Sequence, residues 1–313
     1  MAMRTHVFSR SAVLRFVLTA LVWAALAEAQ QVGHKFLGGL GLLAGSQPDS
    51  GLYVINQFVS YGANEVFDSA GHRIPVGLDL DVLGNFLGFQ VTFRVAPSLY
   101  MNASASFPIS HLGRGSNQPE ASLDEFGLGD VYVQPIKIGW KMAQADVVAG
   151  YSFYAPTGLY VPQNGGIGFG QWTHQFSLGG AVYLDRAKTW NISALASYDL
   201  NQRKQGIDIT RGDTIQFQGG AGKILRRAGK TLPRVNMGLA GYGLWQVRPD
   251  RGADLPDALR GARELDLGLG PEIDVTVAPI HSQITVRYCR DIEVKARQMG
   301  HILVIQLAIV ARR

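Results

Sequence analysis

The chain has 313 residues, 17% of them charged, and a formal net charge of +5. Charge this sparse, against the ~25% usual for soluble domains, does not suit a globule coated by water, and so small an excess leaves no electrostatic footprint for nucleic acid. With Cys289 as the single cysteine, no disulfide can form within the chain.

The first residues read as an export signal. Arg4, Arg10 and Arg15 precede or open an apolar run from Phe16 to Leu26, and Ala27-Glu28-Ala29 fits a small-x-small cleavage site. Cleavage is expected after Ala29. The run is shorter than the ~20 residues of a spanning helix. Residues 30–50 are expected to form a periplasmic segment, and residues 51–313 the folded domain.

From there to the end, stretches alternate apolar and polar residues with a period of two, the pattern of a strand with two different faces. Twelve strands are predicted, near 51–61, 77–95, 98–108, 126–138, 144–156, 172–185, 189–201, 213–226, 232–247, 264–277, 280–292 and 300–312. In the seventh, Trp190, Ile192, Tyr198 and Leu200 alternate with Asn191, Ser193, Ser197 and Asp199, and only Leu195 breaks the rule. In the tenth, Leu265, Leu267, Leu269, Ile273 and Val275 alternate with Asp266, Gly268, Gly270, Glu272 and Asp274. The stretch Gly77 to Phe89 alternates poorly. In the last strand, the face holding Ile302, Val304, Gln306 and Ala308 is less polar than elsewhere.

The predicted strands match the ~9–11 residues that cross a bilayer and exceed the ~5–6 of a soluble strand. Gaps between them alternate. Short ones fall at Ala96-Pro97, Gly139 to Ala143, Arg186 to Lys188, Arg227 to Thr231 and Ala278-Pro279. Long ones lie near 62–76, 109–125, 157–171, 202–212, 248–263 and 293–299. An even set of antiparallel strands with tight turns at one end and long loops at the other is an all-β transmembrane barrel, with long extracellular loops and short periplasmic turns. Export and barrel together predict the outer membrane of a Gram-negative bacterium. Tyr53, Tyr61, Trp140, Tyr154, Tyr160, Trp172, Trp190 and Trp245 fall near strand ends, as the two aromatic girdles of such a barrel would.

If the apolar parity meets lipid, the other parity lines the lumen. Its charged members are Arg94, Asp146, Asp199, Arg248, Asp266, Glu272, Asp274 and Arg287. These either set up a transverse field that orients a polar solute or pair with one another and plug the interior. Twelve strands lie between a side-chain-filled barrel of eight and an open porin of sixteen, which suits a narrow path for small solutes. Gly165, Gly166, Gly168 and Gly170 mark a loop able to fold inward as a lid.

Several segments resemble the outer-membrane family labelled "MetA-pathway of phenol degradation": Gly33-His34, Gly51-Leu52-Tyr53, Phe67-Asp68-Ser69-Ala70-Gly71, Gly127-Leu128-Gly129-Asp130-Val131-Tyr132-Val133-Gln134-Pro135, Gly139-Trp140, Ala155-Pro156-Thr157-Gly158-Leu159-Tyr160, Asn164-Gly165-Gly166 and Gly170-Gln171-Trp172. Two features depart from the family pattern. The lead into the first strand is Gln47-Pro48-Asp49-Ser50, and the chain ends on Ala311-Arg312-Arg313 where such barrels usually carry an aromatic residue. The resemblance implies a barrel linked to passage or sensing of small, often aromatic, compounds, and it supplies no catalytic set.

No enzyme chemistry stands out. His174 and Ser177 lie three apart, hence on opposite faces of a strand, and no G-x-S-x-G elbow is present. The seven histidines show no paired metal-ligand spacing, and the Gly-rich runs lack the Lys-Ser/Thr of a phosphate loop. No cofactor is expected. The expected partners are outer-membrane lipid and a small-molecule solute. The function expected is passive passage, with a plugged structural or adhesive barrel as the rival and a barrel-embedded lipid hydrolase as a third reading.

Overall fold

The structure, a computed structural model, describes residues 33–34, 37–115, 123–162, 165–225 and 233–312. The expected export signal with its cleavage site, the expected turn at 227–231, and Asn164 lie outside these residues.

The strands are β1 (Gly51–Phe67), β2 (Arg73–Ile74), β3 (Asp79–Arg94), β4 (Leu99–Gly115), β5 (Leu123–Leu128), β6 (Val131–Lys141), β7 (Ala145–Ala155), β8 (Thr173–Tyr183), β9 (Trp190–Asn201), β10 (Thr214–Leu225), β11 (Arg234–Gln246), β12 (Leu265–Val277), β13 (Ser282–Lys295) and β14 (Arg297–Arg312). Each long strand pairs antiparallel with its sequence neighbours, and β14 returns to β1 in the register Val54↔Ile309, Gln57↔Gln306 and Tyr61↔Ile302. The sheet is therefore closed and leaves no edge unpaired in lipid. β2 is a two-residue extension folded onto the end of β1. β5 and β6 both pair with β4, at Ile109–Arg114 and Leu99–Ser106 respectively, so together they make one wall strand interrupted at Gly129-Asp130. Among the described residues the wall thus has twelve strands.

Parity decides which side chains meet lipid. In β8, Phe176, Leu178 and Val182 point outward and are more than half exposed, whereas Thr173, Gln175, Ser177 and Ala181 are buried. In β9, Trp190 and Ile192 face out, and Asn191, Ser193, Ser197 and Asp199 face in. An apolar exterior around a polar interior is unfavourable in water and favourable in hydrocarbon. Trp140 and Trp190 lie outward at the rim of the short turns, and Trp172 and Trp245 at the opposite rim, which makes two girdles. Tyr61, Tyr154 and Tyr160 do not join them, because all three line the lumen cavity.

The places where alternation fails share one cause. Leu195 is buried in the lumen against Ala44 and Val148. Leu80, buried, and Val82, packed beside it, face inward from β3. Ile302 and Val304 of β14 are buried with Leu37, Val59 and Leu244. The lumen is apolar over β14, β1, β3 and part of β4, so these strands are apolar on both faces and lose the two-residue signal.

Two expectations need correction. The long gap near 293–299 is a one-residue link at Ala296, held in the left-handed region at φ 49°. Of the segment expected in the periplasm, residues 33–34 and 37–50 lie inside the barrel, with Asp49 at the short-turn end, where Lys141 holds it at 2.6 Å, and His34 beside Asp130. Gly38, Gly39, Gly41 and Gly45 leave this stretch narrow enough to lie against the wall. A Cβ on Gly45 would stand 2.1 Å from the Gly180 carbonyl oxygen.

Candidate lumen channel and its internal segment

The polar half of the lumen grips the main chain of the internal segment. Leu40 N donates to Gln218 Oε1 at 3.0 Å, Leu42 N to the Glu272 carboxylate at 3.1 Å, and Gly45 N to Ser193 Oγ at 2.8 Å. In the other direction, Arg287 Nη1 donates to Gly38 O at 2.7 Å, Gln57 Nε2 to Gly39 O at 3.1 Å, and Lys137 Nζ to Ser46 O at 3.2 Å. Main-chain groups buried away from water require such partners, and here wall side chains supply them where a sheet would otherwise do so.

The candidate charged residues separate into two groups. Asp146 accepts from Ser46 Oγ at 2.5 Å and Tyr183 OH at 3.0 Å. Asp199 accepts from Gln175 and Gln216, both at 2.7 Å. Glu272 pairs with Arg287 at 2.6 Å, and Asp274 accepts from Thr285 at 2.5 Å and Asn236 at 3.2 Å. Asp266 pairs with Arg297 at 2.8 Å. These six, Arg287 included, are buried inside the wall. Arg94 and Arg248 are not. Arg94 ends β3 and turns to the Pro97 carbonyl at 2.8 Å, and Arg248 lies beyond β11, exposed, and reaches Asp213 at 3.1 Å. A strand-end residue has water within reach, so its charge turns to the rim.

The inward loop is latched at the break in the wall. Asp130, between β5 and β6, accepts from Gly158 N at 2.8 Å and from Phe169 N at 2.7 Å. The same carboxylate meets His34 Nε2 at 2.8 Å, and the Thr173 hydroxyl meets His34 Nδ1 at 2.8 Å. Tyr154 stacks on the His34 ring at 4.9 Å between centroids, and Phe169 lies tilted against it at 4.7 Å. The backbones of Gly129, Gly158 and Gly168 are stacked so closely that a Cβ on Gly168 would meet Gly158 C at 2.7 Å. Gly166 and Gly170 adopt φ of 157° and 65°, and Tyr160 packs over Gly170. Gly165, Gly166 and Gly168 line the cavity beneath, whereas Gly170 is not in its lining and accepts from Gln205 N at 2.7 Å.

That cavity, of about 450 Å³, lies between the internal segment and the inner face of β1, β3 and β4. Val59, Leu80, Val82, Phe86, Pro108 and Leu112 form its apolar wall. Charged groups also reach the cavity: Asp266, Asp291 and Arg297 line it, with buried pairs Arg297–Asp266 at 2.8 Å and Arg297–Glu264 at 3.2 Å, and Arg211–Glu264 at 2.7 Å behind them. Asp291 takes hydrogen bonds from the Tyr242 hydroxyl and from Gly300 N, the latter at 2.7 Å.

Of these residues, Asp130 lay within the sequence motif of the resemblance without a role assigned to it. Arg297 was masked by the expected 293–299 loop, and the tight link at Ala296 brings it into β14. His34 likewise lay in the Gly33-His34 segment of the resemblance, without a role assigned to it. His174 and Ser177 are on opposite faces, with His174 Nδ1 meeting the Tyr151 hydroxyl at 2.8 Å.

The comparisons agree with this architecture. Among solved structures, the COG4313 outer membrane channel from Pseudomonas putida F1 superposes with a TM-score of 0.73 at 12% identity, covering 85% of this chain and 97% of that one. The transport unit of the autotransporter AIDA-I from Escherichia coli gives 0.50 at 9% identity, over 92% and 97%. At such identities the likeness is one of fold. No curated protein sequence matches. The family described as "Putative MetA-pathway of phenol degradation" matches residues 63–307, which is most of the chain, and this protein belongs to that family.

Proposed function

We propose that the barrel is an outer-membrane channel for passive passage of small apolar or aromatic molecules. One observation carries the reading: a void of about 450 Å³ with an apolar wall, inside a closed barrel and beside a segment that fills the polar half. A solute passing there trades its water shell for apolar contact at ~25 cal/mol per Å² of surface removed from water. The loop carrying Gly165, Gly166, Gly168 and Gly170 serves as the lid over this path, and the internal segment narrows it.

Uptake of labelled benzamide by a porin-deficient Gram-negative strain expressing the protein tests this. Expressing cells should take it up faster than empty cells. Ser106→Trp, which builds a ring into the cavity from β4, should abolish the difference while the protein still shows the heat-dependent mobility shift of a folded barrel. Equal uptake by expressing and empty cells would overturn the reading.

A specific observation favours the rival, a permanently plugged barrel with a structural role: the buried pair Glu272–Arg287 holds the segment through Leu42 N and Gly38 O. For such a barrel, Ser106→Trp would leave uptake at the level of empty cells in wild type and variant alike.

A further inference from the structure

Lys204 lies in the link between β9 and β10 and is only 7% exposed. Among the described residues no carboxylate comes within ion-pair distance of its ammonium. The face of Tyr160, 6.0 Å from ammonium to ring centroid, is its one described contact. The main chain that carries it is held in place. Lys204 N donates to Ile209 O at 2.8 Å, and Gln205 N to Gly170 O at 2.7 Å, which fixes this link beneath the glycine-rich loop. The ammonium therefore stays in the roof of the cavity, which Lys204 lines together with Tyr160, Gly166 and Phe169.

A buried cation without a counter-charge is costly. The carboxylates nearby are already engaged: Glu264 by Arg211 and Arg297, and Asp250 by Gly212 N at 2.7 Å and Gln246 Nε2 at 2.5 Å. Arg211 adds a like charge. The site has a place for one negative charge from outside the chain, and beside it Tyr160, Ile167 and Phe169 offer apolar contact.

We propose that the roof of the cavity is a binding site for a small organic monocarboxylate, its carboxylate on the Lys204 ammonium and its apolar body against Tyr160, Phe169 and the β1–β3–β4 wall. This deepens the channel reading and rests on it: an apolar body alone would pass, and the lysine selects those that carry an acid group. The groups facing Lys204 are Tyr160 from the glycine-rich loop, Arg211 from its own link, and Asp250 and Glu264 from the link between β11 and β12. Burial, reinforced by Arg211 and offset by Asp250 and Glu264, brings Lys204 down to about 8. Burial raises Tyr160, which stays neutral over the same range.

The test is calorimetric titration of the full chain in detergent with benzoate, and with benzamide as the uncharged isostere. Wild type should bind benzoate about tenfold or more tightly than benzamide, the range expected of a charge-assisted hydrogen bond. Lys204→Gln should abolish that preference, and Lys204→Arg should keep it. In wild type, the preference should be lost as pH rises through about 8. Equal binding of the two compounds to wild type, or a preference that survives in Lys204→Gln, overturns the proposal; if that variant does not fold, the wild-type comparison and its pH course still decide. Benzamide uptake without benzoate preference sinks this site and leaves the channel standing. Benzoate preference in a protein that gives cells no uptake supports the site and removes the channel.

Discussion

Arg287 on β13 donates from Nη1 to the Gly38 carbonyl at 2.7 Å, across 249 residues of sequence, while its Nε holds Glu272 at 2.6 Å. One guanidinium thus joins the wall to the internal segment, and Glu272 in turn accepts from Leu42 N. Removing the arginine leaves a buried carboxylate and a buried carbonyl without their partner.

Arg287→Ala should destabilise the barrel by ~3–5 kcal/mol, the usual effect of breaking a buried pair on one side. Urea unfolding in detergent, followed by the mobility shift, measures it. The freed segment should also raise single-channel conductance; a destabilised protein with unchanged conductance would mean that the segment does not limit the path.

Gly45→Val places a branched side chain where even a Cβ meets the Gly180 and Ala194 carbonyl oxygens at 2.1 and 2.5 Å. Those atoms belong to the backbone of the wall and cannot turn away. The variant should expel the segment while the barrel still closes, seen as new protease cleavage between residues 38 and 50. Resistance equal to wild type would show that the wall yields instead.

Asp130→Ala removes the acceptor of Gly158 N, Phe169 N and His34. Hydrogen bonds to a charged group contribute ~1.5–3 kcal/mol each when buried, so local opening of the loop near 158–169 should become about a hundredfold more frequent. Hydrogen exchange of the Phe169 amide reads this directly.

Asp185, in the turn between β8 and β9, accepts from Trp190 N at 2.9 Å, Thr189 N at 2.7 Å and Thr189 Oγ1 at 2.9 Å. Led by the Trp190 amide, these bonds hold its carboxyl below the ordinary 3.8. A depressed value in the folded state means that the contribution is present above the unfolded value and disappears as pH falls through the folded one. Exchange protection at Trp190 N should therefore persist below the ordinary carboxyl value of 3.8 and be lost only at lower pH, as Asp185 itself is protonated. In Asp185→Ala protection should be low at every pH.

Cys289 is buried in the lumen wall, with its sulfur near Ala240 O. A maleimide should label it only after heat unfolding. Labelling of the folded protein would place an open water path next to β13.

The wall was legible in sequence because hydrocarbon outside and polar groups inside impose a strict two-residue period. β8 and β9 follow their predicted limits to within about two residues. The failures of that period were themselves informative. Leu195, Leu80, Val82, Ile302 and Val304 break it because the lumen beside them is apolar. The internal segment left no such trace. It has neither helical nor strand period, and what holds it are side chains such as Glu272, Gln218 and Ser193, far away in sequence and each indistinguishable from any other lumen residue. Arg94 and Arg248 were misplaced by parity, since at a strand end a long side chain follows water and not the pleat.

The seam between β1 and β14 and the Arg287 clasp on Gly38 both join the beginning of the chain to its end. The internal segment therefore lacks its final partners until the last hairpin is in place. Loop closure over such a distance is slow to be rewarded, so that segment is among the last parts to settle, and the finished cylinder closes around a part of itself.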